Sequence, residues 1–319
     1  MPPSEIWMII QTAGLVIFSS WAFGGVISWT QNWILGFSLA ALPLVHLRYR
    51  EFREFAFRPF IPALLWLVFV GLAILNPSHA PGPNGGWAER NVWISWLPTT
   101  VDVTCTLADA RVWLAALLQG AVVTSLLRTQ RAVHWLWRAL ALNGFALAAT
   151  GAFFSFAGTT RLLGVMEGPE PGYFFATFFY KNHWAAFGAL SAICALTLAL
   201  RTFPATLAGD PAARGQTLLF GGAGLLTTIT LPLPGSRSGV LLGTAIVGGF
   251  LGAMVLAAQR VPAATRHRRW ALVAGGLLTA GIVIFGATAY APRAAVDLQR
   301  TQTQISRTLD GELSDVRVA

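Results

Sequence analysis

Residues 184–200 read WAAFGALSAICALTLAL, seventeen positions without a charge, preceded by Lys181, Asn182 and His183 and followed by Arg201. A bilayer core of about 30 Å needs roughly 20 apolar residues as α-helix, and a helix satisfies its own backbone groups where there is no water to do so. The stretch therefore reads as a membrane span with polar ends. Working outward, eight further apolar runs are found: Ile6–Ile27, Trp33–Leu47, Phe60–Leu75, Val112–Leu127, Trp135–Ala157, Thr217–Leu231, Gly239–Ala258 and Trp270–Tyr290. Three of these, starting at Trp33, Val112 and Thr217, are short, and Pro43 interrupts the first of them. The expected fold is all-α, a polytopic transmembrane helix bundle of about nine spans over residues 1–290, with 291–319 beginning a polar loop.

Composition agrees. The 319 residues are 55% apolar and 11% charged, whereas soluble domains run near a quarter charged. A soluble enzyme is thereby excluded. A nucleic-acid binder could carry the formal charge of +9, but it would need a polar body to display it. Met1-Pro-Pro-Ser-Glu offers no basic n-region, so the first run reads as a helix and not as a signal peptide. Cys105 and Cys194 stand in dissimilar settings and read as packing residues.

Basic residues are retained on the cytoplasmic side of a membrane. The even-numbered loops hold thirteen of the 22 Lys and Arg, and the odd loops with the tail hold nine. The even loops are thus expected inside, with a cytoplasmic N-terminus and a periplasmic C-terminal tail. Four acids also lie inside and nine outside, so the net +9 falls wholly on the cytoplasmic face. No span places Asp, Glu or Lys near its centre, which argues against an ion-coupled carrier, since such proteins bury charges along the pathway. The sequence has no Walker-type phosphate loop, HExxH, paired Cys or Asp-x-Asp. Neither a metal nor a cofactor is expected. Gly239 with Gly243, and Gly248 with Gly252, form two GxxxG spacings that read either as helix contacts or as a consequence of 32 glycines.

Three stretches are expected on the outer face. In the loop 158–183, Tyr173, Phe174, Phe175, Phe178, Phe179 and Tyr180 precede Lys181-Asn182-His183; the aromatics suit interface anchors, while the polar trio opens a helix. His183 alone reads as a structural hydrogen-bonding residue or a substrate contact. In the hairpin 231–239, Pro232 and Pro234 stop one helix, Gly235 turns, and Ser236 or Ser238 can cap the next. Arg237 then sits at a helix N-terminus, where guanidinium, backbone N–H groups and the dipole all favour an anion such as phosphate. The alternative is an interfacial Arg reaching the lipid headgroups. The third stretch, 76–110, reads as a cover in which Trp87, Trp93 and Trp96 are interface or sugar-stacking residues. His79, Glu89, Asp102 and Asp109 are its possible bases.

At these residues the chain resembles the O-antigen ligase and polymerase superfamily of bacterial inner-membrane glycosyltransferases. FFATFFYKNHWAAFGALSAICAL, residues 174–196, looks like the family's aromatic-then-Asn-His entry into a helix, and LPLPGSRSGVLLG, residues 231–243, looks like its Ser-Arg-Gly-type turn with Ser238 inserted before Gly239. The resemblance implies transfer of a glycan from an undecaprenyl-diphosphate carrier to a hydroxyl acceptor, either lipid A-core or another glycan, at the periplasmic face. It implies no metal and no nucleotide. Arg237 occupies the family's motif position and is the first candidate to hold the diphosphate, with Arg161 second and Lys181 assisting. Asn182, His183, Ser236 and Ser238 are implied as substrate-binding or structural residues. The family continues with a large periplasmic loop bearing a His proposed as general base. The sequence stops at Ala319 within what resembles the start of that loop, so the base is expected beyond Ala319 in a longer chain. The alternative is a non-catalytic protein that binds or flips lipid-linked glycans.

Overall fold

The computed structural model of the protein describes residues 1–45, 58–82, 86–90, 92–159, 161–163, 165–167, 174–259 and 275. Trp270–Tyr290, apart from Gly275, lies outside the described residues, as do Tyr173 and the tail 291–319. The described chain is mostly helical: α1 (Pro3–Trp21), α2 (Ser28–Ala40), α3 (Ile61–Leu75), α4 (Val103–Leu126), α5 (Gln130–Phe156), α6 (Lys181–Leu207), α7 (Pro211–Thr230) and α8 (Arg237–Gln259). By length and composition, five helical stretches among the described residues can cross a membrane: Arg58–Leu75, Val103–Leu126, Gln130–Phe156, Lys181–Leu207 and Arg237–Ala257. The protein is a membrane-spanning helical protein. Its chain divides into two compact units, Met1–Ala139 and Leu140–Ala319.

In the first unit, α2 and α3 pack on α4. The first apolar run ends as a helix at Trp21, short of the expected Ile27, because Phe23, Gly24 and Gly25 all adopt positive φ and reverse the chain. The fourth begins at Val103, ahead of the expected Val112, because Asp102 caps it by accepting the N–H groups of Thr104 and Cys105 at 2.7 and 3.1 Å. Arg111, expected in a loop, therefore lies inside α4 and donates to Asn32 Oδ1 at 2.6 Å. Of the stretch 76–110 expected as a cover, residues from Val103 onward belong to α4, and before it the strands His79–Pro81 and Trp87–Glu89 pair antiparallel. The neck of this segment is closed by Asn76, which exchanges hydrogen bonds with Ile94 at 2.8 Å in both directions.

Two polar contacts join α1 to α4 and the turn after it. Gln11 and Gln119 bond amide to amide, with Gln119 Nε2 also reaching Thr12 Oγ1 at 2.7 Å. Glu5 is fully buried, and its carboxylate accepts from Arg128 N at 2.9 Å, Thr129 N at 3.0 Å and Thr129 Oγ1 at 2.8 Å. These donors sit just ahead of α5, so a side chain from the first turn of α1 closes the start of a helix more than a hundred residues away. The pairings 5 with 128 and 11 with 119 run antiparallel, putting the start of α1 and the α4–α5 turn at one end of the unit.

The second unit is built on α6, in which 61% of the most apolar window is buried, against 11% in α8. Glycines set the helix spacing. Gly144 on α5 lies against Ser191, Gly224 on α7 against Leu196, and Gly188 on α6 against Leu231, and a Cβ at Gly188 would come 2.6 Å from the Leu231 side chain.

Removing the Glu5 carboxylate leaves two backbone N–H groups without their charged acceptor, and bonds of this kind contribute about 1.5–3 kcal/mol. Glu5→Ala is expected to lower the unfolding free energy in micelles by about 2 kcal/mol or more. A loss within about 0.5 kcal/mol, the range of ordinary surface substitutions, would show that the contact does not hold α1 to the turn.

Candidate functional site

The two polar motifs meet at one end of the second unit. Lys181, Asn182 and His183 are the first three residues of α6, and Arg237 is the first residue of α8. Ser236 donates to Asn182 Oδ1 at 2.9 Å, and Ser238 lies 3.3 Å from the same oxygen and 2.8 Å from Ser236 Oγ. Ser236 also caps α8, its Oγ accepting Gly239 N–H at 3.1 Å, the N-cap to N3 geometry expected of a serine there. Asn182 thus ties together the starts of two helices that lie 54 residues apart in the chain.

The local chain explains this placement. Leu231 N–H bonds to Thr228 O and Gly235 N–H to Pro232 O, while Gly235 takes φ +73°, so the segment from α7 to α8 is a tight turn. Gly239 faces the Leu231 carbonyl so closely that any Cβ would collide with it. This is the first GxxxG, and its partner Gly243 lies near Thr228; the second pair, Gly248 and Gly252, has nothing within 4 Å among the described residues. The first glycine spacing is a contact.

Trp184, fully buried in the first turn of α6, donates its indole N–H to Thr230 O at 3.2 Å. The aromatic loop before it packs inward. Phe175 and Phe178 pair through mutual backbone hydrogen bonds of 3.1 and 2.9 Å, around Ala176 at φ +52°. Both rings pack against Trp184 in tilted pairs, with centroids 4.8 and 5.8 Å away, and Gly151 on α5 makes room for Phe175. Among the aromatics expected as interface anchors, these two are core residues, and Tyr180 is exposed. His183 is also exposed, edge-on to the Tyr180 ring at 5.2 Å.

The cations are distributed unequally around this cluster. Arg237 is exposed and Lys181 half-buried, each at the first position of its helix, where both dipoles present their positive ends. Arg161 stands on a separate two-stranded hairpin, Arg161–Leu162 with Met166–Glu167, exposed and bonded through its N–H to Thr159 Oγ1. In the first unit, two of the four possible bases have structural partners: His79 Nδ1 is 2.9 Å from Ser78 Oγ, and Asp102 is the cap of α4, the helix that also carries Asp109. The Cys105 thiol and the N–H groups of Cys105 and Thr104 hold the Asp102 carboxyl below its ordinary value, which makes it a poor proton acceptor.

Sequence patterns assign no role to Trp184 or Gly151, nor to the Gln11–Gln119 pair. A tryptophan directly after a polar helix entry, and amides at matching depths of two spans, were the available signals. The chain matches no protein-family model, no curated protein and no solved structure.

Gly239→Ala is expected to cost about 1–3 kcal/mol, the range for overpacking a tight contact, whereas Gly252→Ala should leave stability unchanged or slightly raised. Thermal unfolding in detergent compares the two. Equal tolerance would contradict the close approach of Gly239 to Leu231.

Proposed function

We infer that the protein is an O-antigen ligase-like glycosyltransferase of the bacterial inner membrane. It moves a glycan from an undecaprenyl-diphosphate carrier to a hydroxyl on lipid A-core or on another glycan. The observation that carries this reading is the bond from Ser236 to Asn182: the two segments that resemble the family, distant in sequence, form one cluster. About nine spans, a cytoplasmic N-terminus and a periplasmic site complete the reading. The antiparallel pairing of α1 with α4 supports the alternation of sides on which it depends.

The chemistry follows from charge. Attack of an acceptor hydroxyl at the anomeric carbon breaks the bond to the carrier, and the diphosphate leaves with the bonding electron pair. A preorganised cation at the developing charge lowers the barrier more than it lowers the ground state. Arg237 offers a two-pronged guanidinium for phosphate oxygens, and Lys181 a second cation. Asn182, Ser236 and Ser238 hold the two helix starts in register, and His183 stands exposed next to Asn182 in the first turn of α6. The proton of the acceptor hydroxyl passes to a general base that is assigned to no described residue.

Arg237→Ala should lower glycan transfer in membrane vesicles by at least about 100-fold, the loss typical of one preorganised donor, with insertion unaffected. Unchanged transfer removes Arg237 from the site. Carrier binding without transfer in the unaltered protein would favour the non-catalytic reading.

A further inference from the structure

At the opposite end of the second unit lies a cavity of about 390 Å³ between α6, α7 and α8. Its walls are apolar: Phe203 from α6, Leu218 and Gly221 from α7, Phe250 and Met254 from α8. Gly275 also lines it. The glycines keep it open, since Gly222 has nothing within 4 Å of its missing Cβ, and Gly221 has only Ala199 at 3.8 Å. Pockets of this size and lining take apolar ligands oriented by a few polar groups.

The polar groups at the cavity divide into two kinds. Thr206 and Thr217 line it, but their hydroxyls bond to each other at 2.9 Å, and Thr217 bonds to Thr202 at 2.7 Å, so this wall has its hydrogen bonds made. Arg214 is different. It is exposed in the first turns of α7 and no carboxylate among the described residues pairs with it. The acid nearest in sequence, Asp210, is occupied by the N–H groups of Ala212 and Ala213 at 2.9 and 3.3 Å.

The dimensions set the occupant. From Arg214 to Leu225, the lining residues of α7 span about 16 Å at 1.5 Å per residue. This matches half of a hydrocarbon core of about 30 Å, the depth of one leaflet. With α7 upright in a bilayer, as the nine-span reading has it, Arg214 would stand at the headgroup level and the apolar groove would descend from it by the length of one acyl chain. We propose that this groove seats an anionic membrane phospholipid, with its phosphate on Arg214 and one acyl chain between α7 and α8. Basic pockets between transmembrane helices bind anionic headgroups by the same attraction. The site is separate from the Asn182–Ser236 end and does not depend on the glycosyltransferase reading.

The test uses the full chain in phosphatidylcholine vesicles carrying a minor fraction of phosphatidylglycerol with a photoreactive acyl chain. Parallel vesicles carry the same photoreactive chain on phosphatidylcholine, and labelled peptides are located by mass spectrometry. The phosphatidylglycerol probe should label the peptides bearing Phe203, Leu218 and Phe250 several-fold more than the phosphatidylcholine probe. Arg214→Gln should equalise the two, and Gly221→Leu should abolish labelling of these peptides by either. Equal labelling of the unaltered chain, or a preference that survives Arg214→Gln, would overturn the proposal. So would absence of label from the groove with both probes.

Discussion

The buried hydrogen bond from the Trp184 indole to the Thr230 carbonyl governs the arrangement of the second unit. Thr230 is the last residue of α7, and the final carbonyls of a helix have no partner within it. In a medium without water an unsatisfied carbonyl is costly. The Thr230 carbonyl takes Leu233 N–H from the turn at 3.2 Å and the Trp184 indole N–H as a second donor, which fixes the start of α6 beside the end of α7. Phe175 and Phe178 pack against the indole with tilted rings, so the aromatic loop is tied to the same point. The turn from Leu231 begins there, and its direction delivers Ser236 to Asn182. The polar cluster thus rests on an apolar foundation.

The first unit meets the same constraint differently. Its α1 is less apolar than a lipid-facing span and carries Glu5, Gln11 and Thr12, all of them engaged by α4 or the turn that follows it. Interhelical hydrogen bonds of this kind average only about 0.6 kcal/mol each in membranes. Their larger effect is on register, because a shift of one turn would strand every donor at once. The carboxylate of Glu5 carries the greater weight, since it accepts three hydrogen bonds in full burial.

Much of this was legible in the sequence because it depends on local chemistry. Long uncharged runs predict helices by composition alone, and the eight described helices fall on the first eight of them. The turn at Pro232–Gly235 and the cap at Ser236 follow from residue type. Helix limits were less legible: α1 ends at a reversal through Phe23, whose positive φ no side-chain preference announces, and α4 starts at a cap that lies outside its apolar stretch. The inward packing of Phe175 and Phe178 was hidden for another reason. An aromatic run before a helix suits the headgroup region equally well, and only the space left by Gly151 on a different helix decides between the two. The meeting of Asn182 with Ser236 and Ser238 is a tertiary contact, visible beforehand only as two motifs that share a resemblance.

The chemistry inferred for the protein requires Lys181-Asn182 and Ser236-Arg237-Ser238 to form one structure in the membrane, because cations on separate helices can act on one diphosphate only if their helix starts are held together. The most direct measurement is thiol bridging of an Asn182→Cys, Ser238→Cys pair in native membranes, with Cys105 and Cys194 replaced by alanine and a short bifunctional thiol reagent added. The account predicts rapid intramolecular bridging of this pair, as the native side chains lie 3.3 Å apart. Failure to bridge, with each thiol reacting freely on its own, would contradict it.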